Sequence, residues 1–169
     1  GAPLRDAGRP PEVACVMQWS TQRSFVLSAN FHTGSLVVNY PYDDDNKGSV
    51  YSPSPDELLF RDLAERYSFY NMPMWNSTEF THGITNGAAW YSVDGGMQDW
   101  NYRYAACNEA TIELSNVKWP TASQLTTLWT DNRESMLQYL EAVHIGVRGV
   151  VTDAATADPL WAKVSVEGN

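Results

Sequence analysis

Apolar residues dominate the run Ser-Phe-Val-Leu-Ser-Ala-Asn-Phe over residues 24–31, and the pattern predicts a strand buried on both faces of a sheet. Before it, Pro11-Glu12 leads into Val13, Val16, Met17 and Trp19 at helical spacing, with proline in the first turn. Residues 43–54 are rich in Asp, Asn, Gly, Ser and Pro and read as a loop. Ser54-Pro55-Asp56-Glu57 then offers a capping residue, a proline at the first helical position and acids in the first turn. The helix it starts extends to about Tyr67 and buries Leu59, Leu63 and Tyr67. A second buried strand follows over 107–114. The longest helix spans 121–143, with Leu125, Leu128, Trp129, Met136, Leu140 and Val143 on one stripe and Gly146 at its end.

Between these elements, residues 71–100 form a long segment rich in aromatics, Gly, Asn and Ser, with turn signals at Asn86-Gly87 and Gly95-Gly96. A loop of that length inside a compact domain is usually functional. Strand, helix, strand, helix indicates an α/β layer structure. Beyond Gly146 the texture changes to two short strands, 147–152 and 162–166, joined by a turn-forming segment over 153–159. We place a domain boundary near residue 145. Both ends of the chain read as cut from a longer protein: it starts at Gly1 without a methionine in a loop-like stretch over residues 1–11, and the last strand has no following partner.

Composition narrows the function classes. The 169 residues are 43% hydrophobic with seven tryptophans, enough for a sizeable core and too apolar for a disordered chain. No apolar run approaches the ~20 residues of a membrane helix. A net charge of −9 argues against nucleic acid and suits cationic ligands. Cys15 and Cys107 permit at most one disulfide. Asn76-Ser77-Thr78 is a glycosylation triplet, meaningful in a eukaryotic secretory protein.

Several residues carry chemistry. His32 ends the first strand where the backbone turns at Thr33-Gly34, a placement that aims an imidazole into a cleft. Glu113 lies among apolar strand neighbours, so it either faces water at a sheet edge or needs a partner or a cation. If it shares a cleft with His32 it is a candidate general base. The acids Asp43, Asp44 and Asp45 read as a solvated run, or as a pocket in which one acid selects a cationic ligand. Tyr91 and Gln98 lie in the long segment, where exposed polar side chains often touch substrate. The tryptophans allow a sugar-stacking platform as well as a core. Neither Gly-x-Ser-x-Gly, nor a P-loop, nor Cys-x-x-Cys, nor His-Glu-x-x-His occurs.

The run Phe25-Val-Leu-Ser-Ala-Asn-Phe-His32-x-Gly34-Ser-Leu-Val-Val-Asn-Tyr-Pro-Tyr-Asp43 resembles the third zinc-ligand segment of the zinc metallocarboxypeptidases, in their regulatory branch of carboxypeptidases D, E, N and M. Gly83-Ile-Thr-Asn-Gly-Ala-Ala-Trp-Tyr91, Gly95-Gly-Met-Gln-Asp-Trp-Asn-Tyr102 and Thr111-Ile-Glu-Leu-Ser115 resemble the same branch, in order and at matching spacing. The resemblance implies part of a mixed, twisted β-sheet flanked by helices over residues 1–145. It also implies the opening strands of a transthyretin-like all-β sandwich over 146–169.

Carried over residue by residue, the resemblance implies that His32 is a Zn2+ ligand and that Glu113 is the base. Glu113 would take a proton from zinc-activated water and deliver it to the leaving amine. Tyr91, in a mobile loop, would close over the terminal residue of the peptide. Asp43 and Gln98 would line its side-chain pocket, and Asp43 there implies peptide or protein substrates with C-terminal Arg or Lys. Secretory or extracellular localisation is implied as well. This chain departs from the pattern at Thr33, where the family usually has glycine, and at Asn116-Val117, where it often has cysteines. His82 is not treated as a ligand, and His144 suits a helix C-terminus. The family's first two zinc ligands, in a His-x-x-Glu motif, and its arginines for the terminal carboxylate have no counterpart in these 169 residues. The expectation is a zinc carboxypeptidase fragment, inactive alone. The alternatives are a non-catalytic carboxypeptidase-like binding protein and a carbohydrate-binding module.

Overall fold

The computed structural model describes residues 8–44, 47–147 and 149–165. Asp45, Arg148 and Val166, which entered the readings above, lie outside them, as do the terminal residues 1–7 and 167–169. The described residues form a mixed α/β structure. Four strands, β1 (Leu27–His32), β2 (Ser35–Tyr40), β3 (Ile84–Asn86) and β4 (Asn108–Ser115), lie in the order β1-β4-β2-β3. β1 runs parallel to β4, β4 antiparallel to β2, and β2 parallel to β3. Six helices accompany them: α1 (Pro11–Thr21), α2 (Glu57–Tyr70), α3 (Met72–Trp75), α4 (Gly87–Trp90), α5 (Met97–Ala105) and α6 (Ala122–Glu141).

Register divides the sheet into two chemically opposite faces. Successive strand residues point to opposite sides, so β1 alternates Leu27, Ala29, Phe31 against Ser28, Asn30, His32. The pairing sets Ser28 beside Glu109, Asn30 beside Thr111 and His32 beside Glu113. On the apolar face Val38, Ala110 and Ile112 meet Phe60, Leu63, Ala64 and Tyr67 of α2 and Tyr139 of α6. The opposite face is mainly polar, with the buried Val37 set beside Glu113. β1 is therefore half-buried at one edge of the described sheet, not buried on both faces as its composition suggests.

Helix boundaries and faces differ from the pattern in instructive ways. α2 starts at Glu57 with Asp56 in the capping position; the Asp56 side chain makes no capping bond and instead accepts from Tyr102 Oη at 2.6 Å. Within α2, Phe60, Leu63, Ala64 and Tyr67 are buried, whereas Leu59 is exposed. α6 begins as expected, with a capping box between Thr121 and Gln124. Its inner face, however, is Asn132, Ser135 and Tyr139, and Leu125, Trp129 and Leu140 are exposed. Hydrogen bonding explains the choice. The Asn132 carboxamide accepts from Tyr67 Oη and Asn71 Nδ2, each at 2.9 Å, and Tyr139 Oη donates to the Ser28 carbonyl at 2.8 Å. A 3₁₀ turn, Ala142–His144, follows, and Gly146 turns the chain away at φ 124°.

The segment 71–100 is not an irregular loop. It contains α3, a 3₁₀ turn at Thr81–Gly83, β3, α4 and the start of α5. Elements of three or four residues are too short to show a period, and β3 exists only through its pairing with β2. Over residues 149–165 one bridge, Thr152–Pro159, closes a turn, and no strand is present there among the described residues. Cys15 is exposed and Cys107 buried, and both are free thiols. No described helix is long and apolar enough to cross a membrane.

Candidate active site

The polar sheet face holds the residues singled out for chemistry. His32, the last residue of β1, stands in register with Glu113 in β4, and its Nδ1 lies 2.9 and 3.0 Å from the two carboxylate oxygens. Glu113 is buried at 7% side-chain exposure while His32 is open at 57%. Glu113 is thus a partnered carboxylate inside the sheet, not a solvated edge residue. His32 also borders a cavity of about 260 Å³ with Thr33, Leu114, Lys118 and Trp119. Thr33 turns its hydroxyl to the Lys118 carbonyl at 2.8 Å, and the Gly34 N–H donates to Ser115 O at 2.8 Å, which pins the turn between β1 and β2.

Asp43 and Gln98 meet in a second, more enclosed part of the same face. Both are buried, and Gln98 Nε2 donates to Asp43 Oδ1 at 3.2 Å and to Asn39 Oδ1 at 3.3 Å. Glycines wall the pocket. A Cβ on Gly87 would lie 1.9 Å from Asp43 Oδ1, and one on Gly96 3.2 Å from Asp43 Oδ2. Burial, reinforced by the nearby Asp99 and Glu109 charges against a hydrogen bond from Asn39, pushes the Asp43 carboxyl up to about 7. Gln98 Oε1 is buried without a hydrogen-bond partner among the described residues. An unpaired acceptor beside a carboxyl is the donor-hungry wall that a guanidinium or ammonium group would satisfy.

Tyr91 connects the two parts. Its ring is half exposed, and its hydroxyl is raised by burial and by the Glu113 and Asp43 charges, so it lies within the field of both. The segment that carries it is laced to the Asp43 loop. Ala88 N–H donates to Tyr42 O at 2.9 Å and Val93 N–H to Asp43 O at 3.0 Å. Asn86 completes the lacing. Its buried carboxamide donates to Pro41 O (3.1 Å) and Ser52 O (2.9 Å), and accepts from the Ser52 N–H (3.0 Å) and the Ala89 N–H (3.2 Å).

Sequence reasoning missed four supporting residues. Asn39 faces Gln98, Asn86 holds the loops, and Asp99 accepts the Asp43 backbone N–H at 3.0 Å on each carboxylate oxygen. Glu109 is fully buried and accepts hydrogen bonds from Ser28, Asn30 and Asn101, with its carboxyl raised by burial against those bonds. Its signal was available, since Glu109 and Glu113 are four apart in one strand and share a face. The Asn86-Gly87 pair read as a turn is instead the cap of α4. Elsewhere His82 stacks on Trp75 at 4.3 Å and contacts Glu65 at 3.2 Å, well accounted for without a ligand role.

A catalytic zinc takes three protein ligands. His32 offers one imidazole nitrogen, and no three His, Cys, Asp or Glu side chains converge among the described residues. These residues therefore do not make a zinc site by themselves.

The family model described as zinc carboxypeptidase matches residues 5–135. Carboxypeptidase D of Homo sapiens is 51% identical over 154 residues, covering 85% of this chain and 11% of that protein. Carboxypeptidase SOL1 of Arabidopsis thaliana is 45% identical, covering 95% of this chain and 33% of the relative. The carboxypeptidase N catalytic chain of Mus musculus is 44% identical, covering 94% and 37%. The chain thus spans from about a tenth to under two fifths of the length of these relatives. The chain belongs to the zinc carboxypeptidase family.

Proposed function

We propose that this chain supplies one part of a peptidase site that removes C-terminal Arg or Lys from peptides or proteins. The observation that carries the reading is the buried Asp43, set against Gln98 in a pocket floored by glycine, on the same sheet face as the His32–Glu113 contact. Inside such a pocket a carboxylate–guanidinium pair is charge-assisted and can be bidentate. Gln98 Oε1 provides a further acceptor for the substrate side chain. Tyr91 covers the terminal residue once it is bound.

Glu113 is the proton carrier in this reading. It takes a proton from the attacking water as the new C–O bond forms. It then gives that proton to the amide nitrogen as the C–N bond breaks. General-base help of this kind is worth ~10² to 10⁴ in rate. His32 would be one ligand of the family's Zn2+, with the others supplied by residues outside these 169. On the same reading residues 1–145 belong to the catalytic domain, residues 146–169 to a transthyretin-like module, and the protein to the secretory pathway.

Two measurements test this. The 169-residue chain, titrated with Zn2+ and incubated with dansyl-Ala-Arg, should bind the metal weakly and release no arginine. A tight stoichiometric site or measurable turnover overturns that part. In a longer chain that joins these residues to a His-x-x-Glu segment, Asp43→Ala should abolish the preference for C-terminal Arg over C-terminal Leu. A preference that survives unchanged removes Asp43 from the pocket.

A further inference from the structure

Asn76-Ser77-Thr78 is the single Asn-x-Ser/Thr triplet in the chain, and the peptidase reading makes no use of it. It lies between α3 and the 3₁₀ turn at Thr81–Gly83. The Asn76 backbone caps α3, donating to Met72 O at 3.0 Å, while its side chain is exposed and makes no hydrogen bond among the described residues. Ser77 Oγ accepts the N–H groups of Glu79 (3.2 Å) and Phe80 (3.4 Å), which turns the chain and leaves Thr78 exposed. The acceptor amide and the hydroxyl that a glycosyl-transferring enzyme reads are thus both open to solvent.

The surface beside the triplet has the chemistry to hold a sugar. Phe69 and Tyr70, on the last turn of α2, are 52% and 43% exposed, and their rings stand nearly perpendicular at 5.3 Å. Trp75, the residue before Asn76, meets Phe69 edge-on at 5.2 Å. With Asp62, Glu65 and Arg66 these rings line a depression of about 230 Å³. Aromatic faces pack against the C–H side of a pyranose, and flanking charged groups hydrogen-bond its hydroxyls. Single exposed aromatics on a surface need no explanation. Three grouped rings with polar flanks, one residue from the only glycosylation triplet, call for one.

We propose that Asn76 is N-glycosylated and that its first N-acetylglucosamine packs into the Phe69–Tyr70–Trp75 depression. The donor is a lipid diphosphate-linked oligosaccharide. The anomeric C–O bond to the diphosphate breaks, the bond from that carbon to Asn76 Nδ2 forms, and the amide proton passes to a base of the transferase. No redox change is involved. The proposal rests on the secretory placement of that reading and not on its catalytic roles, so the glycan and the peptidase chemistry can fail separately.

The test expresses the full chain behind a secretion signal in a eukaryotic host and measures its intact mass with and without peptide-N-glycosidase. One glycan is expected, absent from both Asn76→Gln and Thr78→Ala. Glycosylation occurs during translocation, so a variant that folds poorly still reports on it, and secretion of an unmodified chain overturns the proposal. The packing has its own readout. Enzymatic removal of the glycan should lower Tm by about 2–4 °C, the shift expected for one modest contact in a chain of this size, and the difference should vanish in Phe69→Ser. An equal fall in Phe69→Ser refutes the packing.

Discussion

Replacing Asp43 by Asn tests how the pocket is charged. The native carboxyl is buried at 6% exposure and held up to about 7, against an ordinary 3.8, first by burial and then by the Asp99 and Glu109 charges. A carboxyl raised on folding binds its proton more tightly in the native state. Its contribution to stability is complete below the unfolded value and is lost as pH rises through the folded one. The full displacement corresponds to roughly 4 kcal/mol, of which about 2–3 kcal/mol falls between about pH 5 and pH 8. Asp99 and Glu109 are raised in the same direction and add a slope of their own, so the informative quantity is the difference between native protein and variant. Urea unfolding should show Asp43→Asn gaining on the native protein by about 2–3 kcal/mol from pH 5 to pH 8. A difference independent of pH would refute the charge state assigned to the pocket. A guanidinium ligand favours the ionised form, so arginine should stabilise the native protein more at pH 8 than at pH 5 and lose that dependence in the variant.

Other substitutions probe the scaffold. Asn86→Ala leaves the Ser52 and Ala89 N–H groups and the Pro41 and Ser52 carbonyls without their partner, a loss of roughly 3–5 kcal/mol by urea unfolding. Gly87→Ala drives a methyl into the Asp43 carboxyl, costing about 1–3 kcal/mol. In the same variant the pH dependence assigned to Asp43 should change. Glu109→Ala strands the donors of Ser28, Asn30 and Asn101 in a buried site and should lower stability by about 3 kcal/mol or more by the same measurement.

Much of the fold could be read from local pattern. Proline and the acidic first turn announced α1 and α2, and α6 begins within one residue of the expected position 121. β1 was legible in a way its composition concealed, since Leu-Ser-Ala-Asn-Phe-His alternates strictly and already separates the polar face from the core face. The α6 stripe misled because two buried polar side chains, Asn132 tied by Tyr67 and Asn71 and Tyr139 tied to the Ser28 carbonyl, outweigh apolar periodicity. β3 and α4 depend on pairing and lacing to residues some 45 positions away, which no local window contains. The candidate residues His32, Glu113, Tyr91, Asp43 and Gln98 drew their proposed roles from motif order, whereas Asn39, Asn86 and Asp99 are ordinary polar residues until the loops close.

Glu113→Gln, in a longer chain that includes the His-x-x-Glu segment, measures the central claim most directly. The proton-carrying role predicts that kcat toward dansyl-Ala-Arg falls at least ~10²-fold while zinc content and the preference for C-terminal Arg are retained. A kcat within about twofold of the parent, far below the ~10²-fold loss expected of a general base, would contradict it.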